Sequence, residues 1–87
     1  MADTPTAAEI AAHFSAMDDS VTLINATVAD DTEALAVWRT AAEVKLMITR
    51  NTDHLEIQAA KDWYSDSSKS KTPYTGAVTA GKAYVAG

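Results

Sequence analysis

Cysteine is absent from the chain, which removes disulfides, thiolate nucleophiles and thiolate metal sites at once. Glycine and proline are scarce, and neither occurs between Thr6 and Thr72, so the middle of the chain lacks the two strongest breakers of local structure. Positive charge is in short supply: seven Lys and Arg face twelve Asp and Glu, for a net charge of −5. That balance disfavours nucleic acid as a partner, because duplex recognition rests on clustered cations that release counterions. The acids read as solvated helix starts, in pairs such as Asp18 with Asp19 and Asp30 with Asp31, rather than as a nucleic-acid mimic. No apolar run is long enough to cross a bilayer, and the N-terminus, MADTPTAAEI, has neither a basic region nor an apolar core before a cleavage site. The expectation is a soluble protein with no membrane partner, inside a cell or on a particle.

Motifs of chemistry are missing as well. His13 and His54 are the only imidazoles. They lack HExxH spacing, and Asp53, His54 and Glu56 are too close in sequence to converge on one ion from a single helical turn. Serines and threonines are plentiful, but none lies in GxSxG or SxxK. Gly76 and Gly81 with Lys82 do not match the spacing of a phosphate-binding loop. The reading is therefore non-enzymatic, with no catalytic residue, metal, cofactor or small-molecule ligand.

What the chain does have is helical periodicity. From Asp31 to Trp63, the residues Val37, Ala41, Val44, Ile48, Asn51, Leu55 and Ala59 fall on one face, following i, i+3, i+4, i+7. Ala34, Trp38, Met47 and Trp63 widen that face, and Trp38 reads as core. Alternation at period two fails, since Leu46, Met47 and Ile48 are consecutive. A single helix over this stretch would be about 50 Å long, so a break near Asn51 is expected. Asp53 with Glu56 offers a capping box that restarts a second helix there, and Asp30 with Glu33 marks the front end.

Upstream, Thr4 and Pro5 open a first helix that runs to about Met17 and carries Ile10, Phe14 and Met17 on one stripe. Thr6 with Glu9 offers a second box one turn on. Asp18, Asp19 and Ser20 are expected to stop this helix and cap another, faced by Val21, Ile24 and Val28. The β-branched content of VTLINATV makes a strand the competing reading, and the lack of a second strand to pair with favours helix. Downstream of Trp63, residues 65–72 read as a polar loop. Lys69 and Lys71 within it, like Lys82 beyond it, read as solvated. Thr72 with Pro73 repeats the Thr4–Pro5 opening, too short a match to be a repeat, and starts a C-terminal helix or extended arm over 73–87. Gly76 and Gly81 weaken such a helix by about 1 kcal/mol each.

Three stretches, DSVTLINA at Asp19 to Ala26, RNTDHLEIQAAKDWY at Arg50 to Tyr64 and AVTAGKAYVAG at Ala77 to Gly87, together resemble small uncharacterised proteins of marine tailed phages, cyanophages in particular. The resemblance implies a virion accessory, present in many copies on a shell or tail, and it carries over no catalytic or binding residues.

The chain thus reads as one all-α domain over 1–87, a bundle of four or five helices around a long central helix or helix pair. A domain of this size buries only about 60 to 65% of its unfolded surface, so a protein partner or copies of itself are expected to cover what is left. Trp63, Tyr64, Tyr74, Tyr84 and Val85 are the candidate interface residues, because aromatic side chains join an apolar body to a polar tip. The expected function is a structural module of a phage virion, as a capsid decoration or a minor head or tail component. The alternative is a small acidic regulator in the host cytoplasm that binds and inhibits a host protein.

Overall fold

In the computed structural model, which describes residues 5–87, five helices follow one another: α1 (Ala7–Ala29), α2 (Thr32–Trp38), α3 (Ala41–Ala59), α4 (Asp62–Ser67) and α5 (Thr72–Ala86). No strand occurs among the described residues. The same tetrapeptide, Thr-Ala-Ala-Glu, opens both long helices, at 6–9 and 40–43. Thr6 Oγ1 accepts the Glu9 amide at 3.2 Å, and Glu9 Oε1 accepts the Thr6 amide at 2.9 Å, which completes a capping box. Thr40 Oγ1 accepts the Glu43 amide in the same way at 3.1 Å. The predicted cap at Thr4 lies outside the described residues, and Pro5 precedes the Thr6 cap instead of starting the helix.

Two predicted breaks are absent. Helix α1 runs straight through Asp18, Asp19 and Ser20, because Asp18 and Ser20 find partners other than a new helix start. Asp18 accepts the Tyr74 hydroxyl at 2.8 Å, and Ser20 turns inward to α3. Thr22 and Thr27 bond the carbonyls of Asp18 and Leu23 one turn back, at 3.1 and 2.8 Å, so the β-branched segment is satisfied within the helix. Helix α3 likewise passes through Asn51, whose amide Nδ2 donates to the Met47 carbonyl at 2.8 Å. Asp53 therefore caps nothing. The chain breaks instead at Arg39, which takes φ 75° and ends α2 with its amide on the Leu35 carbonyl. The polar loop is also shorter than 65–72, since α4 takes in Ser65–Ser67 and Thr72 begins α5. Residues 73–87 are helix rather than extended arm.

Helices α1, α3 and α5 pack pairwise and form the core. Asp18 meets Tyr74 and Asp31 meets Tyr84, so α1 and α5 run parallel, and α3 runs against both. Val44, Ile48 and Leu55 of the central stripe are fully buried, together with Met17 and Ile24 of α1. At about 1.5 Å per residue, the 23 residues of α1 span roughly 35 Å, most of the 41 Å long axis of the molecule. Where α5 crosses the other two helices stands Gly81, buried, and a Cβ there would lie 2.6 Å from Thr52 Cγ2 and 3.2 Å from the Cγ2 atoms of Ile24 and Ile48. Side chains of α1 and α3 thus close over the space that a Cβ at position 81 would need, which only glycine leaves free. Helix α2 covers the α3 start at one end of the bundle, and α4 closes the other. Among the described residues, no helix is long and apolar enough to cross a membrane.

Candidate functional site

The aromatic residues predicted as interface lie mostly inside. Trp63, Tyr64 and Tyr74 are 7, 1 and 2% exposed and pack around Phe14. The ring centroids of Phe14 and Trp63 are 5.3 Å apart at 82°, and those of Phe14 and Tyr64 are 5.4 Å apart at 62°. These are edge-to-face contacts of the kind favoured by ring quadrupoles. His13 stacks on Trp63 at 5.0 Å and 21°. The burial of Trp63 and Tyr64 has a simple reason: α4 folds back over the open end of the bundle and aims both of its aromatic side chains at α1. Tyr84 and Val85 are half-buried, and the Tyr84 hydroxyl donates to Asp31 Oδ2 at 2.9 Å. Burial raises the pKa of all three tyrosines above its ordinary value, and a neighbouring aspartate adds to the rise in each.

The lysines of the polar segment are engaged locally. The Lys69 ammonium sits 4.2 Å from the Phe14 ring centroid, and Lys71 lies 5.8 Å from that of Tyr64, both as cation–π neighbours. Lys82 pairs with Glu56 at 3.0 Å across the surface. Among the described residues, no group of three or more His, Cys, Asp or Glu side chains is placed to hold a metal ion.

One polar cluster crosses the α1–α3 interface. Ser20, 5% exposed, has its Oγ 2.9 Å from Asn51 Oδ1 and 2.9 Å from His54 Nδ1. Because Asn51 Nδ2 is committed to the Met47 carbonyl, its Oδ1 must face Ser20, so the single hydroxyl proton goes to Asn51. His54 must then donate from Nδ1 to Ser20 Oγ. An activated serine needs the opposite polarity, with the imidazole accepting the hydroxyl proton. The cluster is a structural bridge between α1 and α3.

An exposed apolar feature lies elsewhere. Sequence periodicity assigns Trp38 to the core, yet Trp38 is 38% exposed, Val37 is 66% exposed and Leu23 of α1 is 41% exposed. The reason is the break at Arg39. It ends α2 after seven residues and turns the chain, so Trp38, on the same face as Ala34 and Leu35 that pack against the core, stands at the last turn of the helix, where it is only partly covered, and Val37 beside it is open to solvent. Between α1 and α2 runs a groove of about 880 Å³ lined by Leu23, Ala26, Ala34, Val37, Trp38 and Met47, with Asp19, Asp30 and Glu33 among its walls. Asp19, Leu23 and Ala26 of α1, with Asp30 at its C-cap, face the groove at helical spacing along one side. Thr32 donates its hydroxyl to Asp30 Oδ1 at 2.6 Å and its amide at 3.0 Å, and these bonds hold the Asp30 carboxyl below the usual carboxylate value.

Charge is divided unevenly around this groove. Seven of the twelve acids precede Arg39, whereas all seven Lys and Arg stand at Arg39 or later. The acids are therefore not an even scatter of helix caps, and α1 and α2 contain no Lys or Arg. No family model matches the chain, and comparison with curated proteins and with solved structures gives no match.

Proposed function

We propose that the chain is a non-enzymatic docking module that holds a protein partner in the groove between α1 and α2, and that its setting is a phage virion, as a decoration or minor component of head or tail. The observation that carries the docking reading is the pair Val37 and Trp38, left open to solvent at the end of a helix in which no residue is buried. A tryptophan half out of water beside Leu23 is the sort of large anchor on which binding energy concentrates. The virion setting rests on the resemblance of Asp19 to Ala26, Arg50 to Tyr64 and Ala77 to Gly87 to phage proteins.

The test is a photo-crosslinking amino acid in place of Trp38, introduced into the chain in its native setting, with the crosslinked product identified by mass spectrometry. One protein crosslinked in purified particles is the expected result. A single non-particle protein would keep the docking role and move the setting to the cytoplasmic regulator. Absence of any protein adduct, with the substituted chain still folded by circular dichroism, rejects the docking reading. Trp38→Ala is expected to lower the melting temperature by no more than about 8 °C, because so exposed a side chain contributes less than about 1 kcal/mol to folding and 1 kcal/mol corresponds to about 4 to 8 °C in a domain of this size.

A further inference from the structure

Resting on that docking reading, we infer that the occupant of the groove is a basic amphipathic helix of the partner, its apolar stripe against Leu23, Val37 and Trp38 and its cations facing Asp19, Asp30 and Glu33. Two helices form the walls, and most of the lining surface is apolar, which is the form that receives a third helix through anchors at i, i+3, i+4 and i+7. The charge is one-signed. Three carboxylates stand at the groove, no Lys or Arg lines it, and none occurs anywhere in α1 or α2. An acidic or neutral helix would bring like charge or no complement to these carboxylates, whereas lysine and arginine flanking an apolar stripe satisfy both features together.

A second copy of this chain fits less well. The outward stripe of α3 presents Leu46 and Ile57 with one cation, Arg50, and one acid, Asp53. The outward side of α5 presents Thr75, Gly76 and Thr79, with no bulky apolar residue. Neither of these faces combines an apolar stripe with a net positive charge, since Asp53 offsets Arg50 on α3.

The probe is a synthetic Leu/Lys peptide of about four helical turns, with leucines at i, i+3, i+4 and i+7. Two controls accompany it: one with glutamate for every lysine, and one with glutamine for every leucine. Binding is read by anisotropy of the labelled peptide and by amide shift mapping on the 15N-labelled chain. The basic amphipathic peptide is expected to bind at least about tenfold more tightly than either control, with shifts confined to the second half of α1, to α2 and to the residues of α3 around Met47. Trp38→Ala is expected to weaken it by about tenfold or more, and Asp19→Asn with Glu33→Gln to weaken it and flatten its salt dependence.

Equal binding of the glutamate peptide, equal binding of the glutamine peptide, or shifts elsewhere on the molecule would overturn the proposal. So would sedimentation showing a dimer whose interface covers the groove. The two readings fail separately: a Trp38 crosslink to a partner segment that is not basic ends the helix proposal and leaves docking intact, while no protein crosslink ends both.

Discussion

Two glycines on one helix have opposite consequences. Gly76 has open space where a Cβ would go, with nothing within 4 Å, whereas a Cβ at Gly81 would meet Thr52 Cγ2 at 2.6 Å. The helix-propensity gain of alanine over glycine, about 1 kcal/mol, is therefore available at the first site and opposed at the second. Thr52 cannot swing away cheaply, because its hydroxyl donates to the Thr49 carbonyl at 2.9 Å and a β-branched side chain has few rotamers in a helix. Gly76→Ala is expected to stabilise the protein by about 1 kcal/mol. Gly81→Ala is expected to destabilise it by about 1 to 3 kcal/mol from overpacking. Urea unfolding of both variants checks this, and Thr52→Ser, which removes Cγ2, is expected to recover part of the loss in the double variant. Stabilisation by Gly81→Ala would contradict the close approach. From the sequence, both glycines read equally as weak points of a helix, since only the neighbours across the bundle separate them.

At the scale of elements, the central apolar stripe was legible and its punctuation was not. Val44, Ile48 and Leu55 lie at helical spacing and are buried as that spacing requires. The break fell at Arg39 instead of Asn51 because Asn51 can close a bond to its own helix and another to Ser20, which no local rule for asparagine reveals. The signal for the true break was present in Thr40 with Glu43, the same pattern as Thr6 with Glu9, but the apolar spacing runs on across it. The groove followed from that break, so it was illegible for the same reason. Helix α2 has seven residues, none of them buried, and is bounded by the exposed Asp30 and by Arg39 at positive φ. Such a helix opens at little cost. Amide hydrogen exchange is expected to protect α2 at least about a hundredfold less than Ile48 and Leu55 of α3. Equal protection would mean that α2 opens only with the whole molecule.

At the scale of the whole molecule, each of the three tyrosines is tied to a different joint. Tyr64 donates to the Ser70 carbonyl before α5, Tyr74 to Asp18 of α1, and Tyr84 to Asp31 at the start of α2. Burial, the largest cause, raises the pKa of each above the ordinary value of 10.0. In the unfolded chain tyrosine loses its proton near pH 10, while the folded protein still holds it, so the unfolded state binds fewer protons above that pH. Stability is then fully present below about pH 10 and falls as pH rises through the folded values. Absorbance near 295 nm is expected to show the tyrosines of the folded protein losing their protons at higher pH than those of the urea-unfolded chain, as the raised values require. Ionisation of any tyrosine near pH 10 in a fully helical protein would contradict this.

The vacancy at Gly81 also decides how far along the bundle α5 can sit. Sliding that helix by one turn, about 5.4 Å, would bring the methyl of Ala77 or the branched side chain of Val85 to the spot where Thr52 already lies within 2.6 Å of a missing Cβ. Alignments offset by a turn in either direction are thus sterically refused, and the same notch that lets the helices touch leaves them a single register in which to do so.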